Sequence, residues 1–222
     1  MRSVAIAGGG LAGLAAGAAL ASVGFRVGIY ESRPFLGGRA TSYDAGGETV
    51  DNCQHILLRC CVNLQDFYKR VAATDKIEFH REFVFIEPGG QRSRMGAGLL
   101  PAPAHFTGSF LSLKFLDTAE KLAVARGLLA IRSEYGRRAD LAEITMQQWL
   151  EEKRQPPRAV ERFWRQILVS AVNEEMDRMA AIYGLQVFYL GFLASSDAYE
   201  MGVPAVPLGE LYSSDEIGRA HV

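Results

Sequence analysis

The sequence predicts an α/β protein in which a strand-helix-strand layer at the N-terminus is followed by a mainly helical region. Two observations predict the layer: a glycine-rich turn joins an apolar run to an alanine-rich helix, and a second β-branched run follows. A third predicts the helical region, because apolar residues recur at helical spacing after Asp117. The 222-residue chain is 49% hydrophobic and 22% charged, which is typical of a globular protein and excludes a disordered or collagenous one.

The first elements follow one another closely. We predict a strand at Ser3–Ala7, a turn at residues 8–10, a helix at residues 11–23 and a second strand at Arg26–Tyr30. Gly24 fits the left-handed position that ends a helix. A secretory signal or a membrane span is the alternative for this uncharged stretch. Its many glycines make both less favourable, because glycine weakens a helix and adds no apolar surface.

The turn carries the pattern G-x-G-x-x-G in Gly8, Gly10 and Gly13, and Glu31 follows about 20 residues further on. Gly8 permits a tight turn, Gly10 lets a pyrophosphate approach the helix N-terminus, and Gly13 lets the helix lie close to the sheet. Glu31 can accept hydrogen bonds from ribose hydroxyls and would repel a 2′-phosphate, which argues against NADP. The pattern therefore predicts a Rossmann-type dinucleotide site, with a purely structural glycine turn as the alternative.

A second glycine-rich segment, Gly37-Gly38-Arg39, comes soon after the acidic residue. Together with the first pattern it resembles the FAD-binding amine oxidase and phytoene desaturase superfamily. The resemblance implies an FAD-binding layer in which the Arg39 guanidinium lies near the pyrophosphate, a pairing that its fork geometry suits. A solvated arginine on a surface turn is the alternative. The cofactor-binding residues expected on this basis are Gly8, Gly10, Leu11, Ala12, Gly13, Glu31, Ser32, Gly37, Gly38 and Arg39.

Later segments narrow the resemblance, among them residues 51–58, 101–106 and 202–208. In this order they resemble the hydroxysqualene dehydroxylases, also called squalene-associated FAD-dependent desaturases. The resemblance covers nearly the whole chain and implies reductive dehydroxylation of hydroxysqualene to squalene in hopanoid biosynthesis. It departs at Cys53, where that family usually has glycine, so a Cβ there is expected to shift the loop.

The same residues are compatible with other functions. A carotenoid or phytoene desaturase would use oxidised FAD to remove hydrogens from a similar chain. A non-catalytic prenyl-binding protein on the same fold is less expected, because the residues for a cofactor are intact, and an inactive fragment is a further alternative. In both enzymatic cases the substrate is a long apolar isoprenoid.

His55 is the candidate catalytic residue. Loss of a hydroxyl group needs a general acid, and imidazole groups ordinarily titrate near neutrality. A structural histidine in a polar loop is an equal alternative, and Asp51 is as easily a turn residue as an orienting base. His80 is expected to face solvent, and His105 has no evident partner. No His or Cys spacing suggests a metal site.

The middle of the chain is expected to contain two hairpins and a helix. The hairpins span residues 41–50 and 78–95, and residues 63–73 between them have helical spacing. Four later helices are expected at residues 114–137, 145–153, 158–171 and 176–193, the second of them with Thr145 as its N-cap.

Two apolar stretches carry further expectations. Residues 180–194 should form either a buried helix or one wall of a tunnel for a long hydrocarbon, and they are too short to span a membrane. Residues 95–115 could instead lie on a membrane surface. Cys60 and Cys61 are expected to be small core residues. A net charge of -1 gives no case for nucleic acid, and the few cysteines favour a cytoplasmic protein, peripheral at most on the inner membrane face.

Only two parallel strands are predicted for the dinucleotide layer, fewer than a doubly wound sheet needs. We therefore expect an N-terminal fragment in which residues 1–60 form an incomplete part of an FAD-binding domain and residues 61–216 form a substrate-binding region. Residues 217–222 back-translate into a sequencing-library adapter and are expected to be a non-native tail. The sequence leaves the oligomeric state open.

Overall fold

A computed structural model describes residues 2–53 and 55–212. The chain forms two compact units: the first contains residues up to 80 together with those from 201 onward, and the second contains residues 81–200. The tail expected at residues 217–222 lies outside the described residues. The functional boundary expected after residue 60 stays a prediction, and the compact units themselves divide the chain at other positions.

The first unit begins with the predicted strand-helix-strand layer. Strands β1 (Ser3–Ala7) and β2 (Arg26–Tyr30) pair in parallel, and helix α1 (Leu11–Ser22) connects them. The predicted bounds are confirmed to within one residue, and Gly24 has the expected positive φ of 86°. Among the described residues no third strand joins this sheet. The α/β layer is therefore present but narrow, as the sequence indicates.

A hairpin and a helix follow in the same unit. Strands β3 (Ser42–Asp44) and β4 (Thr49–Asp51) form the predicted antiparallel hairpin. After the short strand β5 (Leu57–Leu58), the predicted second helix is α2 (Val62–Arg70), which buries Phe67 and Tyr68. Strand β6 (Ile77–His80) then ends the first pass of the chain through this unit.

The second unit begins with a hairpin of β7 (Glu82–Ile86) and β8 (Arg92–Gly96). The hairpin expected from residue 78 is therefore wrong at its start, because residues 77–80 pair elsewhere. A loop follows in which Leu99 is fully exposed, and the short helix α3 (Thr107–Leu111) comes after it.

Helices form the rest of the second unit. They are α4 (Thr118–Glu134), α5 (Met146–Glu152), α6 (Pro157–Ala159), α7 (Arg165–Val172) and α8 (Ala181–Phe188). The predicted helical content is confirmed. Among the described residues no helix is long and apolar enough to cross a bilayer.

A capping box marks the start of α5, and two π-helical turns change the pitch of later helices. Thr145 caps α5 in a capping box with Gln148, as predicted. The helix expected from residue 176 begins only after Ala180, which is extended and forms a bridge with Thr145. Five-residue π-helical turns join α6 to α7 over Val160–Trp164 and extend α8 over Tyr189–Leu193.

The chain then returns to the first unit. Strand β9 (Met201–Pro204) inserts between β5 and β6, and the short helix α9 (Leu208–Leu211) follows. The sequence indicated only proline punctuation here, so this strand was missed. Leu208 and Tyr212 join the buried cluster that contains Leu14 of α1, so this C-terminal segment completes the core of the first unit.

Candidate functional site

The turn between β1 and α1 forms a cradle of backbone groups at a helix N-terminus. Gly10 is the N-cap of α1, no side chain caps the helix, and its first turn contains no acidic residue. The N–H groups of Leu11, Ala12 and Gly13 are therefore not taken by a capping side chain. The helix dipole adds partial positive charge there, so the cradle suits an anionic group.

Two glycines shape this cradle in different ways. A Cβ on Gly13 would lie 2.0 Å from the carbonyl oxygen of Gly8, so a larger residue would push α1 away from β1. A Cβ on Gly10 would meet nothing nearer than the Cα of Gly38 at 3.9 Å. The space in front of Gly10 is therefore open to a ligand. This geometry agrees with the roles expected for these residues, and ligand binding by them stays a prediction.

The second glycine segment packs directly on the first. The Gly37 N–H donates a hydrogen bond of 2.8 Å to the carbonyl oxygen of Gly9, and Gly37 forms a parallel bridge with Gly10. A Cβ on Gly38 would lie only 3.1 Å from the Cα of Gly10. The two segments predicted to share a cofactor thus form one continuous surface with almost no side chains.

Glu31 directly follows β2 and is fixed by the same turn. Its Oε2 accepts a hydrogen bond of 2.7 Å from the Gly9 N–H, and its Oε1 accepts bonds from the Arg33 N–H and the exposed Ser32 hydroxyl. These bonds, led by the one from Arg33, lower the pKa of Glu31 and keep it ionised. A carboxylate has about four acceptor positions, so with three of them used Glu31 can still accept one further bond, as from a ribose hydroxyl.

Arg39 and His55 meet in one loop region. The Arg39 carbonyl oxygen accepts a hydrogen bond of 2.9 Å from Asn52 Nδ2, and His55 Nε2 lies 3.3 Å from the same oxygen. His55 Nε2 also lies 3.6 Å from Cys53 Sγ. The Arg39 side chain is exposed and, among the described residues, makes no hydrogen bond or ion pair. The structure thus places His55 beside Arg39, and its role as a proton donor stays a prediction.

Cys53 and Asp51 behave as structural residues of this loop. Cys53 has a φ of 73°, a left-handed conformation that favours glycine. Glycine is the residue that the resembled family usually has at this position. Asp51 Oδ1 accepts a hydrogen bond of 2.7 Å from the Ser42 hydroxyl and one of 3.0 Å from the Leu208 N–H. Asp51 therefore holds the start of α9, and these contacts favour a structural role over an orienting one.

The second unit contains an apolar cavity of about 290 Å³. Five phenylalanines contribute to its wall: Phe106, Phe110, Phe163, Phe188 and Phe192. The polar side chains among the lining residues are Thr107 and Arg132. A cavity of this kind suits a hydrocarbon, because apolar contact contributes binding energy without any polar group left unpaired.

Both π-helical turns contribute to the cavity wall. Phe163 lies in the first turn, and Phe192 lies in the second. Such turns are rare and frequently mark functional sites. Phe188, at the end of α8, is 1% exposed and packs with both rings, at centroid distances of 5.8 and 5.5 Å. The buried helix expected at residues 180–194 is therefore present, and it lines a cavity.

The sequence predicts no role for His105, but the environment of its side chain in the structure is unusual. Its side chain is 1% exposed, and neither ring nitrogen has a hydrogen-bond partner in the described part of the chain. The ring packs on Phe106 at a centroid distance of 4.2 Å. Burial lowers the pKa of His105, so the neutral form is favoured. In the sequence, only the neighbouring prolines distinguish His105 from the other histidines.

The positions of Cys60 and Cys61 differ from the sequence-based expectation. Cys61 is exposed at the N-cap of α2 and Cys60 is half-buried. The prediction that both are core residues is therefore wrong, because β5 ends at Leu58 and the turn after it lies at the surface. No cluster of three or more His, Cys, Asp and Glu side chains suited to a metal ion occurs among the described residues.

Comparisons with known proteins give a consistent result. A family model for flavin containing amine oxidoreductases matches residues 11–199. A zeta-carotene desaturase from Synechocystis sp. is 27% identical over 207 residues, which cover 88% of this chain and 42% of the relative. A probable zeta-carotene desaturase from Synechococcus elongatus is 30% identical over 215 residues, which cover 91% of this chain and 44% of the relative.

A solved structure supports the same fold. The crystal structure of a CLA-producing fatty acid isomerase from P. acnes matches with a TM-score of 0.66 at 17% identity, over 99% of this chain and 49% of that one. At this level of identity the match concerns the fold alone. The chain spans less than half the length of these relatives, two of which are named as zeta-carotene desaturases and none of the three as a hydroxysqualene dehydroxylase.

Proposed function

The chain belongs to the flavin-containing amine oxidoreductase family, and from this premise we propose that the protein is an FAD-dependent desaturase of a long isoprenoid chain. FAD is the cofactor that this family implies. The observation that carries the proposal is the open glycine cradle at the N-terminus of α1, in a chain similar to zeta-carotene desaturases over most of its length.

The residues of the cradle fit the cofactor. The N–H groups of Leu11, Ala12 and Gly13 would donate hydrogen bonds to the pyrophosphate, and Glu31 would accept a bond from a ribose hydroxyl. The exposed guanidinium of Arg39 would pair with a phosphate oxygen. When bound, the flavin supplies two-electron redox chemistry, while the protein contributes binding, orientation and exclusion of water.

The cavity of the second unit supports a lipophilic substrate. Its wall is mostly phenylalanine and leucine, which suits a hydrocarbon. Pockets for small molecules typically measure about 300–1,000 Å³, so a cavity of about 290 Å³ would enclose a segment of a long isoprenoid chain. We assign the cavity to that segment of the substrate.

Access from a lipid phase is a related proposal. Leu99 and Leu100, in the loop after β8, have relative exposures of 106% and 53%, and Leu111 of α3 is also exposed. Exposed leucines so close in sequence would insert into a membrane interface more readily than remain in water. We propose peripheral contact with the inner face of the cytoplasmic membrane.

Desaturation and dehydroxylation place different demands on His55. A departing hydroxide must be protonated, whereas removal of hydrogens from a hydrocarbon leaves no such group. The position of His55 beside Arg39 keeps reductive dehydroxylation of hydroxysqualene as a second candidate. The relatives favour desaturation as the first.

Product analysis separates the two candidates. The protein, and any longer product of the same gene, would be incubated with FAD, a quinone and zeta-carotene, and separately with reduced FAD and hydroxysqualene under anaerobic conditions. We expect an extended polyene with red-shifted absorbance, formed equally well by His55→Gln. Squalene formation that His55→Gln abolishes would replace the proposal with dehydroxylation, and flavin-loaded protein that forms neither product would refute both.

A further inference from the structure

We propose that Cys60 and Cys61 form a redox-sensitive dithiol at the surface of the first unit, which a hydroperoxide converts into a disulfide between the two residues. The proposal concerns residues outside the candidate cofactor site and does not depend on the proposed function. It rests on the position of the two thiols and on the difference in their exposure.

The turn between β5 and α2 holds the pair in place. The Cys61 N–H donates a hydrogen bond of 2.8 Å to the carbonyl oxygen of Leu58, and the Val62 N–H donates one of 2.9 Å to that of Cys60. Cys60 and Cys61 are consecutive residues of this turn, so their side chains start from neighbouring Cα atoms. Cys61 is exposed while Cys60 is half-buried, so an oxidant in solution reaches Cys61 first.

The environment of Cys61 favours its thiolate. It is the N-cap of α2, a helix of nine residues with no acidic residue in its first turn, so the helix dipole favours negative charge there. The hydrogen bond from Cys60 lowers the pKa of Cys61 to about 6, whereas the same bond raises the pKa of Cys60. Cys61 is therefore the nucleophile, and Cys60 stays protonated beside it.

The chemistry balances in two steps. The Cys61 thiolate attacks one peroxide oxygen, the O–O bond breaks, hydroxide leaves, and the sulfur is oxidised by two electrons to a sulfenic acid. The Cys60 sulfur then attacks Cys61 Sγ, which forms the S–S bond and breaks the S–O bond. The departing hydroxide takes the Cys60 proton. In sum, two thiols and one hydrogen peroxide give one disulfide and two waters.

Two other uses of the pair are less well supported. A structural metal site would need further ligands, and among the described residues no third His, Cys, Asp or Glu side chain completes such a cluster. A packing role would need burial, but Cys61 is exposed. Oxidation needs access for a small peroxide, which the exposure of Cys61 provides. It also needs an adjustment of the turn, because consecutive Cα atoms are about 3.8 Å apart and disulfides usually join Cα atoms about 4.4–6.8 Å apart.

Peptide mass spectrometry after hydrogen peroxide treatment tests the proposal. Trypsin would release residues 60–69 with both members of the pair and residues 40–59 with Cys53 alone. We expect the 60–69 peptide to lose two mass units and both alkylatable thiols together. In Cys60→Ser, dimedone should trap a sulfenic acid on Cys61, and Cys61→Ser should not be oxidised under the same conditions.

The pH dependence of alkylation provides a readout that a packing role would not change. Iodoacetamide should reach half of its maximal rate on Cys61 near pH 6. Cys60→Ser keeps a hydrogen-bond donor and should preserve this midpoint, whereas Cys60→Ala should raise it. At pH 6 the wild-type rate should exceed that of Cys60→Ala on the order of tenfold, because a larger thiolate fraction outweighs a lower nucleophilicity.

Three results would overturn the proposal. One is an unchanged 60–69 peptide while Cys53 is oxidised. Another is an alkylation midpoint that is the same in Cys60→Ser and Cys60→Ala. The third is peroxide consumption in Cys61→Ser as fast as in the wild type. Circular dichroism of each variant would confirm that the fold is retained, and the wild-type mass loss is decisive without any variant.

Discussion

The two units build their candidate sites from different parts of the polypeptide. In the first unit the cradle consists of N–H groups and of space that glycines leave open, as at Gly10 and Gly13. In the second unit the cavity is lined mainly by apolar side chains, and two of its five phenylalanines lie on π-helical turns. A site made of backbone is sensitive to added atoms, whereas a site made of side chains is sensitive to removed ones.

The largest effect is expected where side-chain volume is removed from the second unit. Phe188 is 1% exposed and packs on Trp164 at a centroid distance of 4.7 Å. Phe188→Ala should lower the free energy of unfolding by about 3–5 kcal/mol, measured by chemical denaturation. Tyr183→Ala on the same helix is the control, because Tyr183 is 58% exposed and should change stability by about 0.5 kcal/mol or less. Equal losses in the two variants would contradict this account.

The converse test adds one carbon to the first unit. Gly13→Ala should lower the free energy of unfolding by about 1–3 kcal/mol, because the new Cβ overlaps the Gly8 carbonyl oxygen. Gly209→Ala in the same unit is matched to it, since its Cβ would meet Ser42 at an ordinary 3.6 Å. Thermal unfolding of both variants is the measurement. A Gly13→Ala protein as stable as Gly209→Ala would show that α1 does not rest on β1 as described.

A third test asks whether charge also stabilises the second unit. Glu134 accepts hydrogen bonds from Lys153, Arg138 and Trp149 Nε1, the last at 2.8 Å. Burial alone would raise the pKa of Glu134, but the bonds from Lys153 and Trp149 outweigh it and lower the pKa. A lowered pKa in the folded state means that the stabilisation is present above about pH 4.5 and is lost as the pH falls.

Glu134→Gln should therefore cost about 1 kcal/mol at pH 7 and much less at pH 3, measured by denaturant unfolding at both values. Glu143→Gln serves as the control, because Glu143 is exposed. A cost that is the same at pH 3 and pH 7 would show that the loss arises from packing and not from the charge.

The smallest effect is expected from relief of backbone strain. Cys53 in the first unit and Asn173 in the second both have positive φ angles, of 73° and 57°. Asparagine tolerates this conformation better than cysteine does, because its short polar side chain bonds locally. Cys53→Gly should therefore raise the free energy of unfolding by about 0.5 kcal/mol, net of the entropy cost of glycine, and Asn173→Gly should change it less. The opposite order in thermal unfolding would be inconsistent with this interpretation.

The same contrast explains what the sequence could predict. The pattern from β1 to β2 could be predicted to within one residue, because glycines at fixed spacing act on their immediate neighbours. The pairing of His80 with Met201 could not, because the partner lies about 120 residues away and a strand pattern does not identify its partner. The missed β9 and the wrong start of the hairpin at β7 both follow from that long-range pairing.

The sequence likewise predicts one part of the candidate functional residues and not the other. The glycine cradle has a sequence pattern, while the cavity draws Phe106, Phe163 and Phe188 from separate helical segments with no shared motif. The burial of His105 also depends on residues distant in sequence, since Tyr199 packs near its ring. Individual aromatic residues could be recognised as apolar from the sequence, but their convergence on one cavity requires the fold.

The most direct test of the central claim is the affinity of Gly10→Ala for FAD. The added Cβ has room within the protein, with its nearest neighbour 3.9 Å away, so the free energy of unfolding without FAD should be unchanged within about 0.5 kcal/mol. The same carbon would occupy the space in front of the helix N-terminus. We predict that fluorescence titration shows FAD binding to the wild type and an affinity at least tenfold weaker for Gly10→Ala. Equal affinity in the two proteins, or no binding by the wild type, would contradict the assignment of the cradle to the cofactor.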